Sequence, residues 1–288
     1  MNDDHSFAPR RARLRELIAS GRTIPAVGAT DALSARMIEA HGFECVYIGS
    51  YATAASRYGL PDTGLLTLDD LVGQARTIVN AVGVPVIADA EGGFHDAPNL
   101  WRTVQAFEQA GVSAIHIEDH AFGKHADVPQ RLRPVGEMVA RIRAAVDARE
   151  DPGFLIVART DANWVSGDLE DAIARLQAYA AAGADMVFPT MVTPQQLAEV
   201  RRRVPKPAMV VDMKGTTLAD EERAGAAIVL YYGFSALVQY SALERALGDF
   251  ARARDADAVQ GYRERVAAFE DFMGYREFAE RARRYGPG

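Results

Sequence analysis

Short apolar runs alternate along the chain with longer stretches whose apolar positions recur at helical spacing. "VPVIADA", for example, precedes the amphipathic stretch "APNLWRTVQAFEQAG". Continuous apolar strands separated by helices are typical of a parallel sheet with both faces covered. Eight such units in 288 residues favour a closed (β/α)8 barrel of the TIM type over an open doubly wound sheet. The eight predicted strands are "TIPAVGA", "CVYIGS", "VPVIADA", "SAIHIED", "GFLIVART", "DMVFPT", "PAMVVDM" and "AAIVLYYG".

Two further helical patterns follow the eighth unit. "DADAVQGYRERVAAFEDFMG" and "YREFAERARRYG" carry apolar stripes that a barrel does not need. A partner subunit is the natural cover for such stripes, since most soluble assemblies are symmetric homomers. The alternative is packing on their own barrel. We therefore predict one α/β barrel domain over residues 1–288, with residues 256–288 as a helical extension for oligomerisation.

Composition and charge exclude several classes of protein. The formal charge of -7 and the scattered basic residues do not make the positive stripe that tracks nucleic acid, so we expect no nucleic-acid partner. No apolar run approaches the length of a membrane span, and "MNDDHSFAPRR" lacks the apolar core of a secretory signal. We therefore expect no membrane partner and a cytoplasmic protein. Cys45 is the single cysteine, and its apolar run "FECVYIG" favours a buried core thiol.

Acidic residues mark the ends of two neighbouring predicted strands. Asp89 and Glu91 are two residues apart in "VIADAEGGF", so both carboxylates point to the same side as strand 3 ends. Glu118 follows at the end of strand 4. Carboxylates that converge at a barrel mouth would repel one another unless a cation lay among them, and all-oxygen ligands suit Mg²⁺ or Mn²⁺. The alternative is that these acids cap helices or pair with arginines.

An arginine ends the fifth predicted strand, in "IVARTDA". Burying Arg159 is costly unless it meets an anion, and its planar fork suits a carboxylate, so we predict that it binds the substrate carboxylate. The alternative is a salt bridge to a barrel acid such as Glu118. The loop after strand 2, "YIGSYATAASRYGLPDTG", offers small residues whose backbone N–H groups can approach an anion, and Asp62 follows its proline turn.

Five motifs together resemble the isocitrate lyase/phosphoenolpyruvate mutase superfamily, and within it the methylisocitrate lyase-like branch. The motifs are "GFECVYIGSYATAASRYGLPDTGLLTLDDL", "PVIADAEGGF", "AGVSAIHIEDH", "RIRAAVDAREDPGFLIVARTDA" and "AYAAAGADMVFP", and the similarity covers roughly Pro25 to Ser241. This resemblance implies a (β/α)8 barrel and a homotetramer, a dimer of dimers with C-terminal helices exchanged between subunits. It also implies Mg²⁺ that holds a 2-oxo or 2-hydroxy carboxylate.

The resemblance assigns roles to residues at matching positions. Asp89, Glu91 and Glu118 correspond to the acids of the metal shell, although Glu91 stands where an aspartate is usual. Arg159 corresponds to the substrate-binding arginine. The residues that match the loop holding the carboxylate and the C2 oxygen are Tyr47, Gly49, Ser50 and Asp62.

The long polar loop after strand 4, "HIEDHAFGKHADVPQR", matches a segment that closes over the substrate in this superfamily. Lyase members carry an acid-base cysteine there. Here Lys124 matches the lysine of that motif, but Ala126 stands at the cysteine position. Lys124, His125 and Asp127 are the remaining acid-base candidates on this lid.

Three further residues depart from the isocitrate and methylisocitrate lyases. Thr190 stands where a substrate-binding glutamate is expected, Val238 stands where an arginine would hold a second carboxylate, and Tyr51 replaces a glycine. These changes argue against isocitrate and methylisocitrate as substrates. They predict a smaller or less charged distal group, next to Tyr51 and Thr190.

The predicted activity is that of a Mg²⁺-dependent C–C bond lyase or decarboxylase. Its substrate would be a small 2-oxo or 2-hydroxy acid, oxaloacetate-like or substituted malate-like, cleaved through an enolate with Asp62, Lys124 and His125 as catalytic residues. One alternative is a phosphonate P–C bond mutase or hydrolase of the same superfamily, although the lid lacks that branch's asparagine pattern. The other is a non-catalytic barrel that binds a carboxylate.

Overall fold

A closed barrel of parallel strands forms the centre of the molecule. The computed structural model describes residues 7–263 and 265–286. Its strands are β1 Ile24–Gly28, β2 Val46–Ile48, β3 Val86–Asp89, β4 Ala114–Glu118, β5 His120–Phe122, β6 Arg131–Leu132, β7 Leu155–Thr160, β8 Met186–Pro189, β9 Ala208–Val211 and β10 Ala226–Tyr231. The barrel order is β1-β2-β3-β4-β7-β8-β9-β10, with β10 paired back to β1. Each predicted run forms one barrel strand, which confirms the (β/α)8 fold.

Most of the helices up to Ala224 alternate with the barrel strands, and their buried side chains cover the outer face of those strands. Four of these helices begin with a side-chain capping box at Asp31, Thr67, Thr193 or Thr217, which satisfies amide groups of the first turn. The helices are α1 Ala8–Ala19, α2 Ala32–Ala40, α3 Ser50–Thr53, α4 Leu68–Val79, α5 Trp101–Ala110, α6 Val135–Ala148, α7 Ala162–Ser166, α8 Leu169–Ala181, α9 Pro194–Arg203, α10 Leu218–Ala224, α11 Phe234–Ala253, α12 Val266–Met273 and α13 Tyr275–Tyr285.

The strands are buried on both faces, and alternate residues separate two cores. On β7, Leu155 and Val157 belong to the core inside the barrel, whereas Ile156 and Ala158 belong to the core between barrel and helices. The same two-residue alternation directs the side chain of Arg159, the next odd-numbered residue, toward the barrel interior. The sequence pattern of each strand therefore decides which residue at its end faces the mouth of the barrel.

The segment after β4 contains a short antiparallel sheet that the sequence did not predict. β5 pairs with β6, His120 opposite Leu132, and the Arg133 amide donates to the Asp119 carbonyl at 2.7 Å, which closes the base of the segment. We call residues 120–132 the lid. Strands of two or three residues leave too little alternation in a sequence to be recognised.

The chain divides into two compact units, the first ending at Ala236 and the second beginning at Leu237. The second unit contains most of α11 together with α12 and α13, and its large apolar side chains are widely exposed. Examples are Leu243, Leu247, Phe269 and Phe278. Within residues 7–263 and 265–286, no helix is both long and apolar enough to cross a membrane.

Candidate active site

Polar side chains converge at the carboxyl ends of β3, β4 and β7. Strand register places Asp89 beside His116 and Glu118 beside Arg159. One ligand atom from each of Asp89, His116 and Glu118 lies within 4.8 Å of the others, and all three residues are buried. Among the described residues, this is the group of acids and histidines whose geometry suits a metal ion.

His116 was not among the predicted metal residues, although the sequence contained a signal for it. It precedes Glu118 by two positions on the same strand, so both side chains point into the barrel. Burial lowers the pKa of His116 to about 4, which keeps its ring neutral near pH 7. Nε2 lies 2.9 Å from the Tyr47 hydroxyl, but the buried Nδ1 has no hydrogen-bond partner. A neutral imidazole with an unused buried nitrogen, next to two carboxylates, fits a divalent cation.

The loop after β2 supports this group from one side. The Ser50 hydroxyl donates to Asp89 Oδ2 at 3.0 Å, and the Glu91 amide donates to Asp89 Oδ1 at 2.8 Å. A Cβ atom at Gly49 would lie 2.8 Å from Cε1 of Tyr47, so a glycine at this position leaves room for the Tyr47 ring. These contacts fix the Asp89 carboxylate before any ligand binds.

Lys124 reaches from the lid into the same acidic cluster. Its Nζ lies 3.0 Å from Glu118 Oε1, 3.2 Å from Glu91 Oε2 and 3.8 Å from Asp62 Oδ2. Burial opposes the charge of the ammonium, but the carboxylates of Glu118 and Glu91 outweigh burial and raise the pKa of Lys124. Glu91, predicted as a metal residue, therefore lies in contact with the lid lysine and outside the group of three.

Arg159 takes part in the salt bridge that was the alternative to substrate binding, and it also lines the cavity. Its Nη1 lies 3.1 Å from Glu118 Oε2, and Asp161 accepts from Nε at 2.8 Å and from Nη2 at 3.1 Å. The guanidinium also lies over the Phe188 ring, 5.2 Å from its centroid. Arg159 is thus held on several sides while it faces the cavity.

A cavity of about 260 Å³ opens at this end of the barrel. Every predicted catalytic, substrate-binding and metal residue except Glu91 and Glu118 lines it, and those two contact Lys124. Its lining residues are Tyr47, Gly49, Ser50, Tyr51, Asp62, Asp89, Lys124, His125, Arg159, Trp164, Phe188, Thr190, Met191, Val211 and Tyr232. The size suits a small carboxylic acid and its cation more than a nucleotide cofactor.

Aromatic rings surround the lid histidine at the edge of the cavity. The His125 ring centroid lies 4.9 Å from that of Trp164 and 5.8 Å from that of Tyr51, and Tyr51 lies 5.5 Å from Tyr232. His125 Nε2 is also 3.3 Å from Asp62 Oδ2. The lid therefore lies over the cavity and contributes Lys124 and His125 to it.

Uncommon backbone angles are concentrated near the cavity. Among the described non-glycine residues, five have positive φ, and three of these are Glu91, His125 and Met191, with φ of 49°, 58° and 55°. His125 and Met191 line the cavity, and Glu91 contacts Lys124. Such angles cost free energy and persist where surrounding contacts hold them, commonly at functional sites.

Comparison with known proteins identifies the family. The phosphoenolpyruvate phosphomutase family matches residues 14–251. The chain belongs to this family. Its resemblance to the phosphoenolpyruvate mutase/isocitrate lyase superfamily is thereby confirmed.

Relatives in the phosphomutase family are named for several reactions. A 2,3-dimethylmalate lyase of Eubacterium barkeri is 36% identical over an alignment of 290 residues, which covers 96% of this chain and 98% of the relative. A 2-methylisocitrate lyase of Shewanella oneidensis is 40% identical over 227 residues, 76% of this chain and 77% of the relative. A solved phosphonopyruvate hydrolase in complex with oxalate and Mg²⁺ has a TM-score of 0.88 and 28% identity, covering 96% of this chain and 99% of that chain.

Proposed function

We propose that this phosphomutase-family protein is a metal-dependent carbon–carbon lyase or decarboxylase. Its substrate is a small 2-oxo or 2-hydroxy carboxylic acid, oxaloacetate-like or substituted malate-like. The observation that carries the proposal is the grouping of Asp89, His116 and Glu118 beside Arg159 in one lid-covered cavity. The similarity to 2,3-dimethylmalate lyase over almost the whole chain supports this reaction class.

Asp89, Glu118 and His116 would hold the divalent cation, which we propose to be Mg²⁺ or Mn²⁺. Such a cation would stabilise negative charge on the C2 oxygen, either the enolate charge left when a 2-oxo acid loses the group on C3 or the alkoxide from which a 2-hydroxy acid cleaves between C2 and C3. Ser50 keeps the Asp89 carboxylate in place through its hydrogen bond. Glu91 acts through Lys124, whose ammonium it contacts.

Arg159 would bind the substrate carboxylate through the part of its guanidinium that faces the cavity. Tyr47, Gly49 and Ser50 form the adjoining wall, and Tyr51 and Thr190 also line the cavity. We propose that these five residues bind the substrate. Among the described residues that line the cavity, Arg159 is the one arginine, which supports a substrate without a second distal carboxylate.

Proton transfer would fall to the lid and to Asp62. His125 Nε2 lies 3.3 Å from Asp62 Oδ2, so the carboxylate can orient the imidazole and stabilise its charged form. Cleavage of a 2-hydroxy acid requires a base for the C2 hydroxyl proton and an acid for the carbon left behind. Decarboxylation of a 2-oxo acid needs no acid to begin, so its rate depends on substrate binding and on closure of the lid more than on His125.

The test is a substrate panel assayed for C–C or P–C bond cleavage in the presence of Mg²⁺. The panel contains oxaloacetate, malate, 2,3-dimethylmalate, 2-methylisocitrate and phosphonopyruvate. The proposal is supported if oxaloacetate yields pyruvate, or if malate analogues yield pyruvate or other 2-oxo acids. Glu118→Gln should abolish formation of these products. Turnover of phosphonopyruvate alone would contradict the proposal and show that the protein cleaves a P–C bond. If no substrate of the panel is turned over, the remaining interpretation is a barrel that binds a carboxylate without catalysis.

We also propose a homotetramer. The support is the set of exposed apolar side chains of the second unit, including Leu243, Leu247, Phe269 and Phe278, which in the single chain have little cover. Light scattering coupled to gel filtration measures the mass directly. A monomeric mass at micromolar concentration would contradict this part of the proposal.

A further inference from the structure

Asp161 lies just beyond the end of β7 and is completely buried. Its two carboxylate oxygens contact two different parts of the site. Oδ1 accepts from Nε of Arg159 at 2.8 Å, and Oδ2 accepts from Nη2 at 3.1 Å. Oδ2 also lies 2.9 Å from Nδ1 of His120, the first residue of the lid. One carboxylate therefore contacts both the proposed substrate arginine and the lid.

The contact with Asp161 occupies one edge of the Arg159 guanidinium. A guanidinium has five N–H groups. Asp161 takes the edge formed by Nε and Nη2, and Glu118 Oε2 lies 3.1 Å from Nη1. Asp161 therefore leaves the other edge of the fork, formed by Nη1 and Nη2, without a bond to itself. A pair of parallel N–H groups is the arrangement that binds a carboxylate in a bidentate manner.

The position of Asp161 is itself fixed by the strand end before the lid. Asp119 Oδ1 accepts from the Asp161 amide at 3.0 Å, and Asp119 Oδ2 accepts from the Thr160 hydroxyl at 2.6 Å. On the lid side, His120 is the first residue of β5, so its contact with Asp161 ties that strand to the end of β7, and its Nε2 lies 3.2 Å from the Phe122 carbonyl oxygen. Asp161 is thus held rigidly between the barrel and the base of the lid.

We propose that Asp161 is a positioning residue that presents the Nη1–Nη2 edge of Arg159 to the substrate carboxylate and, through His120, holds the base of the lid in place. The substrate half of this inference rests on the proposed function, because it takes Arg159 as the carboxylate-binding residue. The lid half rests on the hydrogen bond between Asp161 and His120 alone. The two halves are tested separately, with oxalate as the probe of carboxylate binding.

The first experiment compares the wild type with Asp161→Asn in calorimetric titration with oxalate in the presence of Mg²⁺. The asparagine keeps the size of the side chain, but it loses the charge and can accept from only one of the two Arg159 nitrogens. We expect the oxalate Kd to rise about ten- to a hundredfold, in line with the loss of one charge-assisted bond. On the substrate found by the panel, KM should rise more than kcat falls. An unchanged oxalate Kd overturns the substrate half.

The second experiment measures tryptic cleavage after Arg131, an exposed residue of the lid, by mass spectrometry. His120→Phe keeps a ring in place and removes the bond to Asp161, while the contact between Asp161 and Arg159 is retained. We expect His120→Phe and Asp161→Asn to be cut about tenfold faster than the wild type, because cleavage follows the population of the open lid. His120→Phe should keep its oxalate Kd within about threefold of the wild-type value. Wild-type cleavage rates in both variants overturn the lid half.

Glu108→Gln is the matched control for loss of a buried carboxylate. Glu108 is buried, lies 3.6 Å from Nη1 of Arg11, and accepts from the amides of Glu150 and Asp151 away from the cavity. This variant should melt at a lower temperature without a change in oxalate Kd. A rise in Kd equal to that of Asp161→Asn would show that general destabilisation explains the effect. If the oxalate difference holds but no panel substrate is turned over, the proposed function fails while the positioning role stands.

Discussion

Replacing Lys124 by methionine should destabilise the metal-free protein. The side chain is 7% exposed and its ammonium lies within 4 Å of three carboxylates, those of Glu118, Glu91 and Asp62. Methionine fills similar volume but carries no charge, so the buried acids keep Arg159 as their remaining permanent cation. The buried side chains concerned are Asp62, Asp89, Glu91, Glu118 and Asp161 on the acidic side, with Lys124 and Arg159 on the basic side.

The size of the effect follows from the burial of this cluster. Removing one partner of a buried ion pair costs about 3–5 kcal/mol. Burial raises the pKa of both Glu91 and Glu118, so one of them can take up a proton in the variant, which favours the lower end of that range. The entropy of unfolding is about 2.1 cal/mol/K per residue, or about 0.6 kcal/mol/K for 288 residues. A loss of about 3 kcal/mol therefore lowers Tm by about 5 °C.

The assay is thermal unfolding with EDTA and with Mg²⁺. The Tm deficit of Lys124→Met should be largest in EDTA and should shrink with Mg²⁺, because a divalent cation among the acids replaces the missing positive charge. Lys214→Met is the matched control, since Lys214 is exposed and should melt like the wild type under both conditions. An unchanged Tm of Lys124→Met in EDTA, or a deficit that Mg²⁺ leaves intact, would refute the reasoning.

Three further substitutions test individual roles. Arg159→Ala should raise KM about ten- to a hundredfold with a smaller fall in kcat. A fall in kcat of about that size with KM unchanged would contradict the role of Arg159 in ground-state binding. His125→Ala should lower kcat on a 2-hydroxy acid about 10²- to 10⁴-fold but affect decarboxylation much less, and an unchanged kcat removes His125 from the mechanism. Ala126→Cys should not create efficient methylisocitrate cleavage, because Thr190 and Val238 still stand at the positions where the resemblance to those lyases implies a glutamate and an arginine. Efficient cleavage by that variant would show that the cysteine alone decides the reaction.

Much of the barrel and its mouth could be predicted from local patterns. Parallel strands are buried on both faces, so they stand out as continuous apolar runs, and all eight form barrel strands. The period of two then determines which strand-end side chains point inward. That rule predicts the inward direction of Asp89, Glu118 and Arg159. It also applies to His116, which lies two residues before Glu118 on β4.

The remaining contacts depend on the path of the lid and of the loops. Trp164 lies on the short helix α7 and meets His125 only because the lid folds across the barrel mouth. Tyr232 follows β10 and meets Tyr51, which follows β2, so the contact joins the loops of the two strands that flank β1. Asp161 contacts His120 over a separation of 41 residues. No periodicity connects such pairs, so their contacts emerge only from the three-dimensional fold.

The dependence of turnover on metal tests the central claim most directly. The best substrate of the panel is assayed with purified protein after treatment with EDTA, and again after Mg²⁺ or Mn²⁺ is returned in excess. We expect product formation to fall to background in EDTA, because Asp89, His116 and Glu118 then hold no cation to stabilise charge on the substrate, and to recover when metal is added. Full turnover after exhaustive chelation would contradict the account.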